Sequence, residues 1–266
     1  MSAKGVCLLS VIPMRKEPSH RSEMINQILF GELMHLLEET DEWLRVTLMH
    51  DDYTGWVLRE QIKCISPEEY SQHFAEFTGY SADMVDLVMK KNSNHFFSIL
   101  LGSKIPLLKN GEFSVGDEVM VFSGPTTKGI KNRPAIIDTA LNFLHAPYLW
   151  GGRTHFGIDC SGLVQIAYRM AGVNLPRDSY QQATIGMQLS FIEECSPGDL
   201  AFFDDKDGRI IHVGILLPGK KIIHASGGMV RIDMLDQNGI YRADLKKYTH
   251  RLRLLKNVFD LNFRQR

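Results

Sequence analysis

The chain carries almost no excess charge: 30 Lys and Arg against 31 Asp and Glu leave a formal net charge of −1 over 266 residues. With no global basic field to hold a phosphate backbone or an anionic bilayer, nucleic acid is excluded as its main partner. Cysteine is scarce as well. Cys7, Cys64, Cys160 and Cys195 are widely spaced and form no Cys-x-x-Cys pair, which excludes a zinc ribbon and a dense disulfide framework. No apolar run approaches the roughly 20 residues of a membrane span. The first residues also lack a leader-like apolar stretch with a small-residue cleavage site, so the sequence predicts a cytoplasmic protein, or an exported one if a leader has been removed. The remainder is ordinary for a globular chain, with 44% hydrophobic and 23% charged residues. That is enough for one large domain or two to three small ones.

Residues 1–66 hold short apolar runs, Val6-Cys7-Leu8-Leu9, Glu32 to Leu37, Trp43-Leu44-Arg45-Val46 and Gly55-Trp56-Val57-Leu58. Polar, Gly- or Asp-containing turns separate them, as in a small β-barrel. Residues 67–130 predict a second, divergent β-region with helical insertions. Pro67 opens one helix-prone stretch, and Ser81-Ala82-Asp83-Met84 has the form of an N-cap before another. From 131 the pattern changes: Pro134 suits a first helical turn, and Ile137, Ala140, Leu141 and Leu144 recur at helical spacing. After Trp150-Gly151-Gly152 a second helix is predicted, with Leu163, Ile166, Ala167 and Met170 on one stripe and Gly172 as its stop. Strand patterns follow at Leu200–Phe203, Ile210–Leu217, Lys221–Ala225 and Arg251–Leu255. Helices first and strands afterwards make an α+β domain over 131–257, with 258–266 as a tail.

Cys160 falls at the start of the second of these helices, where unpaired backbone N–H groups and the positive dipole end favour a thiolate and can meet a developing oxyanion. Asp159 is placed to cap that helix. His212 lies inside an apolar strand, where an imidazole needs a polar partner. By period two it shares a face with Gly214, which leaves room beside the ring. His224 follows just past Pro218-Gly219. A hairpin loop of three or five residues puts His212 directly opposite His224, whereas a two-residue loop puts them on opposite faces. The odd loop is the expectation, because His224 can orient His212 only from the same face. The other eight histidines, His250 among them, have no such context and are taken as surface or packing residues.

Pro147-Tyr148-Leu149-Trp150-Gly151-Gly152, Asp159-Cys160-Ser161-Gly162, Ser196-Pro197-Gly198-Asp199, Ile211-His212-Val213-Gly214 and His224-Ala225-Ser226 occur together and in order. In these blocks the chain resembles the NlpC-type family of bacterial cell-wall cysteine peptidases. The resemblance implies a compact papain-like fold with Cys160 as nucleophile, His212 as general base, His224 as its orienting residue and Tyr148 at the oxyanion site, and it calls for no metal or organic cofactor. Residues 1–66 resemble a bacterial SH3-like domain through the run from Gly31 to Val46 and Tyr53 to Val57. One or two such barrels before the catalytic domain are similar to a subgroup of γ-D-glutamyl-L-diamino acid endopeptidases. That subgroup cleaves murein stem peptides bearing a free N-terminal L-alanine. The resemblance then implies Ser161 and Asp178 as recognition residues, and Tyr53 and Glu23 as contributions from the first barrel.

Other classes use the same residue types. Cys160, His212 and His224 could be zinc ligands, the same fold could serve a related thiol acyltransferase or amidase, and an inert domain could bind wall peptides without cleaving them.

Overall fold

The computed structural model describes residues 3–93, 95–129 and 131–259, and the chain divides into two compact units, Met1–Gly129 and Ile130–Arg266. No helix among the described residues is long and apolar enough to cross a membrane.

The first unit opens with β1 (Lys4–Cys7), β2 (Val11–Arg15), β3 (Met24–Leu29), β4 (Leu33–Glu39), β5 (Trp43–Leu48), β6 (Thr54–Leu58) and β7 (Ile62–Ile65). They form one sheet in the order β3-β2-β6-β5-β4-β1-β7. Alternation places the side chains: Ile12 and Met14 of β2 are buried, and so are Val46 and Leu48 of β5. Residues 67–129 add α1 (Pro67–Glu69), capped by Ser66, then β8 (Phe77–Ser81), β9 (Val85–Lys90), β10 (His95–Leu100), β11 (Lys104–Pro106), β12 (Glu112–Val115), β13 (Glu118–Val121) and β14 (Thr126–Thr127). They make a four-stranded and a three-stranded sheet.

One sequence expectation fails here. The helix after Ser81 is absent: Val85–Lys90 pairs in register with His95–Leu100, so cross-strand pairing overrides an isolated capping signal. The second β-region shares its core with the first sheet. Phe74, Val88, Ile99, Ile105 and Phe113 share one cluster with Val6, Phe30, Leu33 and Ile65 of the first sheet. Neighbouring Cys7 joins a different cluster with Ile12, Met14 and Val46. Successive residues of β1 thus face two cores.

The second unit begins with α2 (Arg133–Asn142), capped by Asn132 with Pro134 in its first turn. Its buried residues are Ile136 and Ala140, while Leu141 is exposed, so the core face lies about one position from the expected Ile137/Leu141 stripe. A short hairpin, β15 (Arg153–Thr154) with β16 (Gly157–Ile158), leads into α3 (Cys160–Met170), and α4 (Ser179–Gln182) follows. Then come β17 (Met187–Leu189), β18 (Leu200–Asp204), β19 (Ile210–Leu217), β20 (Lys221–Ser226), β21 (Met229–Asp236), β22 (Gly239–Arg242) and β23 (Lys247–Asn257). The sheet runs β17-β23-β18-β19-β20-β21-β22, and β22 pairs back to β23, closing a six-stranded barrel.

Phe203, Leu216, Ile222, Leu235, Ile240 and Leu255 form one cluster of this barrel. By strand alternation Val213, Ile215, Ile223 and Ala225 turn to the other face, where α3 packs. Every residue of α3 is buried, not only the predicted stripe. Side chains such as Leu163 and Ile166 each contribute about 1.5–3 kcal/mol by burial. Gly172 ends the helix with φ +78°. From Asp260 onward the tail lies outside the described residues.

Candidate active site

Cys160 opens α3 because Asp159 caps it: Gly162 N–H donates to Asp159 Oδ1 at 2.7 Å. The other carboxylate oxygen accepts from Gly151 N–H at 2.8 Å, tying the glycine loop to the helix start. Arg177, almost fully buried, donates to both oxygens of Asp159 and, at 2.8 Å, to Ser161 Oγ. This ion pair offsets the cost of burying Asp159 next to the nucleophile. Gly162 cannot carry a side chain, since a Cβ there would stand 2.4 Å from the carbonyl oxygen of Gly152.

Cys160 is 7% exposed, and backbone N–H groups of Val213 and Ser161 act on its sulfur. Burial here opposes the thiolate expected at this helix start. Burial, reinforced by Asp159, pushes the Cys160 thiol up to about 12, against the opposing pull of those N–H groups and of Arg177. Burial likewise drives His212 well below the usual histidine range, with His224 and His250 adding to it. Both shifts favour the uncharged forms, thiol and imidazole.

The β19–β20 loop is Pro218-Gly219-Lys220, three residues, so His212 and His224 do share a face. They are not directly opposite. Ile215 pairs with Ile223, which sets Gly214 across from His224 and leaves His212 one diagonal step away. The diagonal still closes: His212 Nε2 and His224 Nδ1 are 2.8 Å apart. Gly214 makes room for it, because a Cβ there would come within 2.6 Å of Ile222 and 3.0 Å of His224. With His212 Nε2 taken up by His224, Nδ1 is the ring nitrogen that remains.

Sequence reasoning missed what lies beyond. His224 Nε2 reaches Asp233 Oδ2 on β21 at 3.0 Å, and Arg231 holds that carboxylate through Nε (2.6 Å) and Nη2 (2.9 Å). The Gly227-Gly228 turn was the available signal. A two-residue hairpin there pairs His224 with Arg231 and brings Asp233 to the same face. His250 was also passed over; its ring stacks on His212 with centroids 4.3 Å apart.

Tyr148 sits in the loop before Cys160, partly exposed, its hydroxyl raised to about 12 by burial and then by Cys160 and Asp159. Ser161 adjoins the nucleophile with its hydroxyl donating to Asp159 and accepting from Arg177. Asp178 is the N-cap of α4, half-buried, beside the Tyr180 hydroxyl. Tyr53 and Glu23 belong to the first unit. Tyr53 packs partly buried against its core and Glu23 pairs with Lys16. Both ring nitrogens of His224 are engaged, by His212 and Asp233, rather than open to a metal.

A buried cysteine at a helix start, packed on a closed barrel that carries a histidine pair, defines a papain-like cysteine peptidase. Residues 145–249 match the NlpC/P60 family and residues 14–62 match the bacterial dipeptidyl-peptidase Sh3 domain. The chain is 37% identical to dipeptidyl-peptidase 6 of Lysinibacillus sphaericus, over 86% of this chain and 91% of that one. It is 29% identical to the gamma-D-glutamyl-L-lysine dipeptidyl-peptidase of Bacillus subtilis strain 168, over 82% and 78%. A solved NlpC/P60 family protein from Bacillus cereus shares the fold, with a TM-score of 0.78 at 18% identity over 96% of this chain and 99% of that one. The chain belongs to the NlpC/P60 family of peptidases.

Proposed function

We propose that the protein hydrolyses the γ-D-glutamyl–diamino acid bond of murein stem peptides with a free N-terminal L-alanine, releasing L-Ala-γ-D-Glu. The observation that carries the reading is the Cys160–His212–His224 site on a chain whose full-length relatives are named dipeptidyl-peptidases. Because burial favours the uncharged forms, His212 Nδ1 takes the Cys160 proton as the sulfur adds to the carbonyl carbon. The oxyanion is met by backbone N–H groups at the start of α3, with Tyr148 beside it. The protonated His212 then gives its proton to the departing amine. Water, activated by neutral His212, attacks the thioester, and the thiol leaves with the proton.

Recognition of the free amine follows from what Ser161 and Asp178 have left to offer. The Ser161 hydroxyl uses its proton on Asp159 and one lone pair on Arg177, so one lone pair remains to accept from an ammonium. The Asp178 carboxylate supplies the opposite charge. Tyr53 and Glu23 are assigned to substrate contact from the Sh3 domain. The test is a defined stem tripeptide, free or N-acetylated: release of L-Ala-γ-D-Glu from the free peptide alone is expected. Equal cleavage of both would remove Asp178 and Ser161 from this role.

A further inference from the structure

The hydrogen-bonded path from His212 crosses three strands. His212 on β19, His224 on β20 and Asp233 on β21 occupy one face, each offset diagonally from the next. Proton placement along this path is fixed at its far end. An ionised carboxylate only accepts hydrogen bonds, so it requires a proton on His224 Nε2. Neutral His224 then presents a bare Nδ1, which obliges His212 to carry its own proton on Nε2 and leaves His212 Nδ1 free to receive one from the thiol.

We propose that Asp233, clamped by Arg231, is a positioning residue that sets the tautomer of both histidines and thereby makes His212 a base toward Cys160. The inference rests on the Cys–His reading of the site and does not depend on which peptide is cleaved.

The groups around the path support this division of labour. Arg231 on β21 binds Asp233 through two nitrogens and shares Asp244 with Arg242 of β22. His250 of β23 stacks on His212, and Phe203 of β18 lies against both of those rings. Burial acts to raise the Asp233 carboxyl, but hydrogen bonds from His224 and Arg231 prevail and hold it below the usual range, ionised. His224, for its part, is held below the usual histidine range by burial, against the opposing pull of Asp233. Arg231 thus balances the carboxylate, so Asp233 directs a proton without charging the ring.

An asparagine at 233 tests this through its amide oxygen. Arg231 Nε and His224 Nε2 both meet the Oδ2 position, and Arg231 Nη2 meets Oδ1. An amide oxygen in the Oδ2 place accepts from Arg231 Nε and His224 Nε2 and keeps both tautomers, while the NH2 group opposes only Nη2, which retains Asp244. Asp233→Asn therefore keeps much of the function, whereas Asp233→Leu, of similar volume but with no acceptor, loses it; a packing role predicts no such difference.

The experiment measures alkylation of Cys160 by iodoacetamide across pH 5–9, alongside peptide turnover, with Cys7, Cys64 and Cys195 replaced by serine or alanine. In folded Asp233→Leu both rates are expected to fall about 100-fold with KM little changed, and in Asp233→Asn by about 10-fold or less. A wild-type alkylation profile in folded Asp233→Leu, or a loss in Asp233→Asn as large as in Asp233→Leu, overturns the assignment. Imidazole 15N NMR of the unmutated protein gives a second reading that needs no folded variant. His224 and His212 are expected as Nε2–H tautomers, and Nδ1–H at either ring overturns it. Alkylation and NMR are blind to the peptide, so a wrong substrate and a wrong role for Asp233 fail separately.

Discussion

The two units bury different kinds of side chain. In the first, the buried polar residues among those described are Asn26, Glu32, Ser81 and Ser103, and the interior is otherwise apolar. In the second, Arg153, Arg169, Arg177, Asp159, Asp199, Asp204, Asp233, His212 and His224 are all buried, along with buried Gln, Ser and Thr side chains. An apolar interior stabilises through area and tolerates rearrangement. A polar interior stabilises only when every group finds its partner, and it fixes protons and charges in place. The difference separates a scaffold from a chemical site.

The sharpest way to break the comparison is at the sulfur. Cys160→Ala is expected to lower release of L-Ala-γ-D-Glu by more than about 1,000-fold, while the thermal midpoint stays within a few degrees. Retained turnover, followed by chromatography of the dipeptide, would end the peptidase assignment. Next is the contact that orders the nucleophile loop. Gly162→Ala drives a Cβ against the Gly152 carbonyl and is expected to cost about 100-fold in kcat. Gly5→Ala in the first unit crowds Ile62 Cγ2 at 2.6 Å, so it should lower stability and leave kcat alone.

The apolar side of the comparison is tested by Phe30→Ala. Chemical denaturation should show a loss of about 3–5 kcal/mol with an unchanged alkylation rate of Cys160 in the folded protein. An altered rate would mean that the scaffold reaches into the chemistry. The pH response sharpens the polar side. Buried His212 and His224, and partly buried His250, the last lowered to about 4 mainly by burial, have folded pKa values below the unfolded 6.5. Their contribution to stability is present above pH 6.5 and is lost as pH falls through the folded values. Denaturation midpoints should therefore decline between pH 6.5 and 4, and His250→Phe should reduce the slope by up to one proton. The acid limb of kcat/KM should likewise lie below pH 6.5. The smallest effect is on the surface: Lys16→Ala, which removes the exposed pair with Glu23, should change stability by less than about 1 kcal/mol.

Much of this polar site is legible in the amino-acid sequence. Cys160 stands out because a glycine-rich segment and an Asp cap precede an apolar helical stripe, and His212 and His224 because each interrupts a short apolar strand. Two further features escape for a physical reason. Arg231 and Asp233 alternate with Val230 and Ile232, the pattern of a strand with one wet face. Closure of the barrel and the presence of His224 turn that polar face toward the site instead. The hairpin expectation is right about parity and wrong about register, since loop length fixes which face a residue occupies but not where the pairing starts. In the first unit, Ser81 carries a local helix signal that strand pairing overrides.

The all-round burial of α3 reaches beyond packing. A helix enclosed on every side exposes its amides only when the whole unit opens, so hydrogen exchange along Cys160–Met170 should track global unfolding. The reactive sulfur is thus mounted on the slowest-exchanging part of the domain. Whatever breathing admits a peptide and lets its fragments go belongs to the exposed Tyr148–Trp150 stretch and the Phe156 tip, and not to the element that carries the nucleophile.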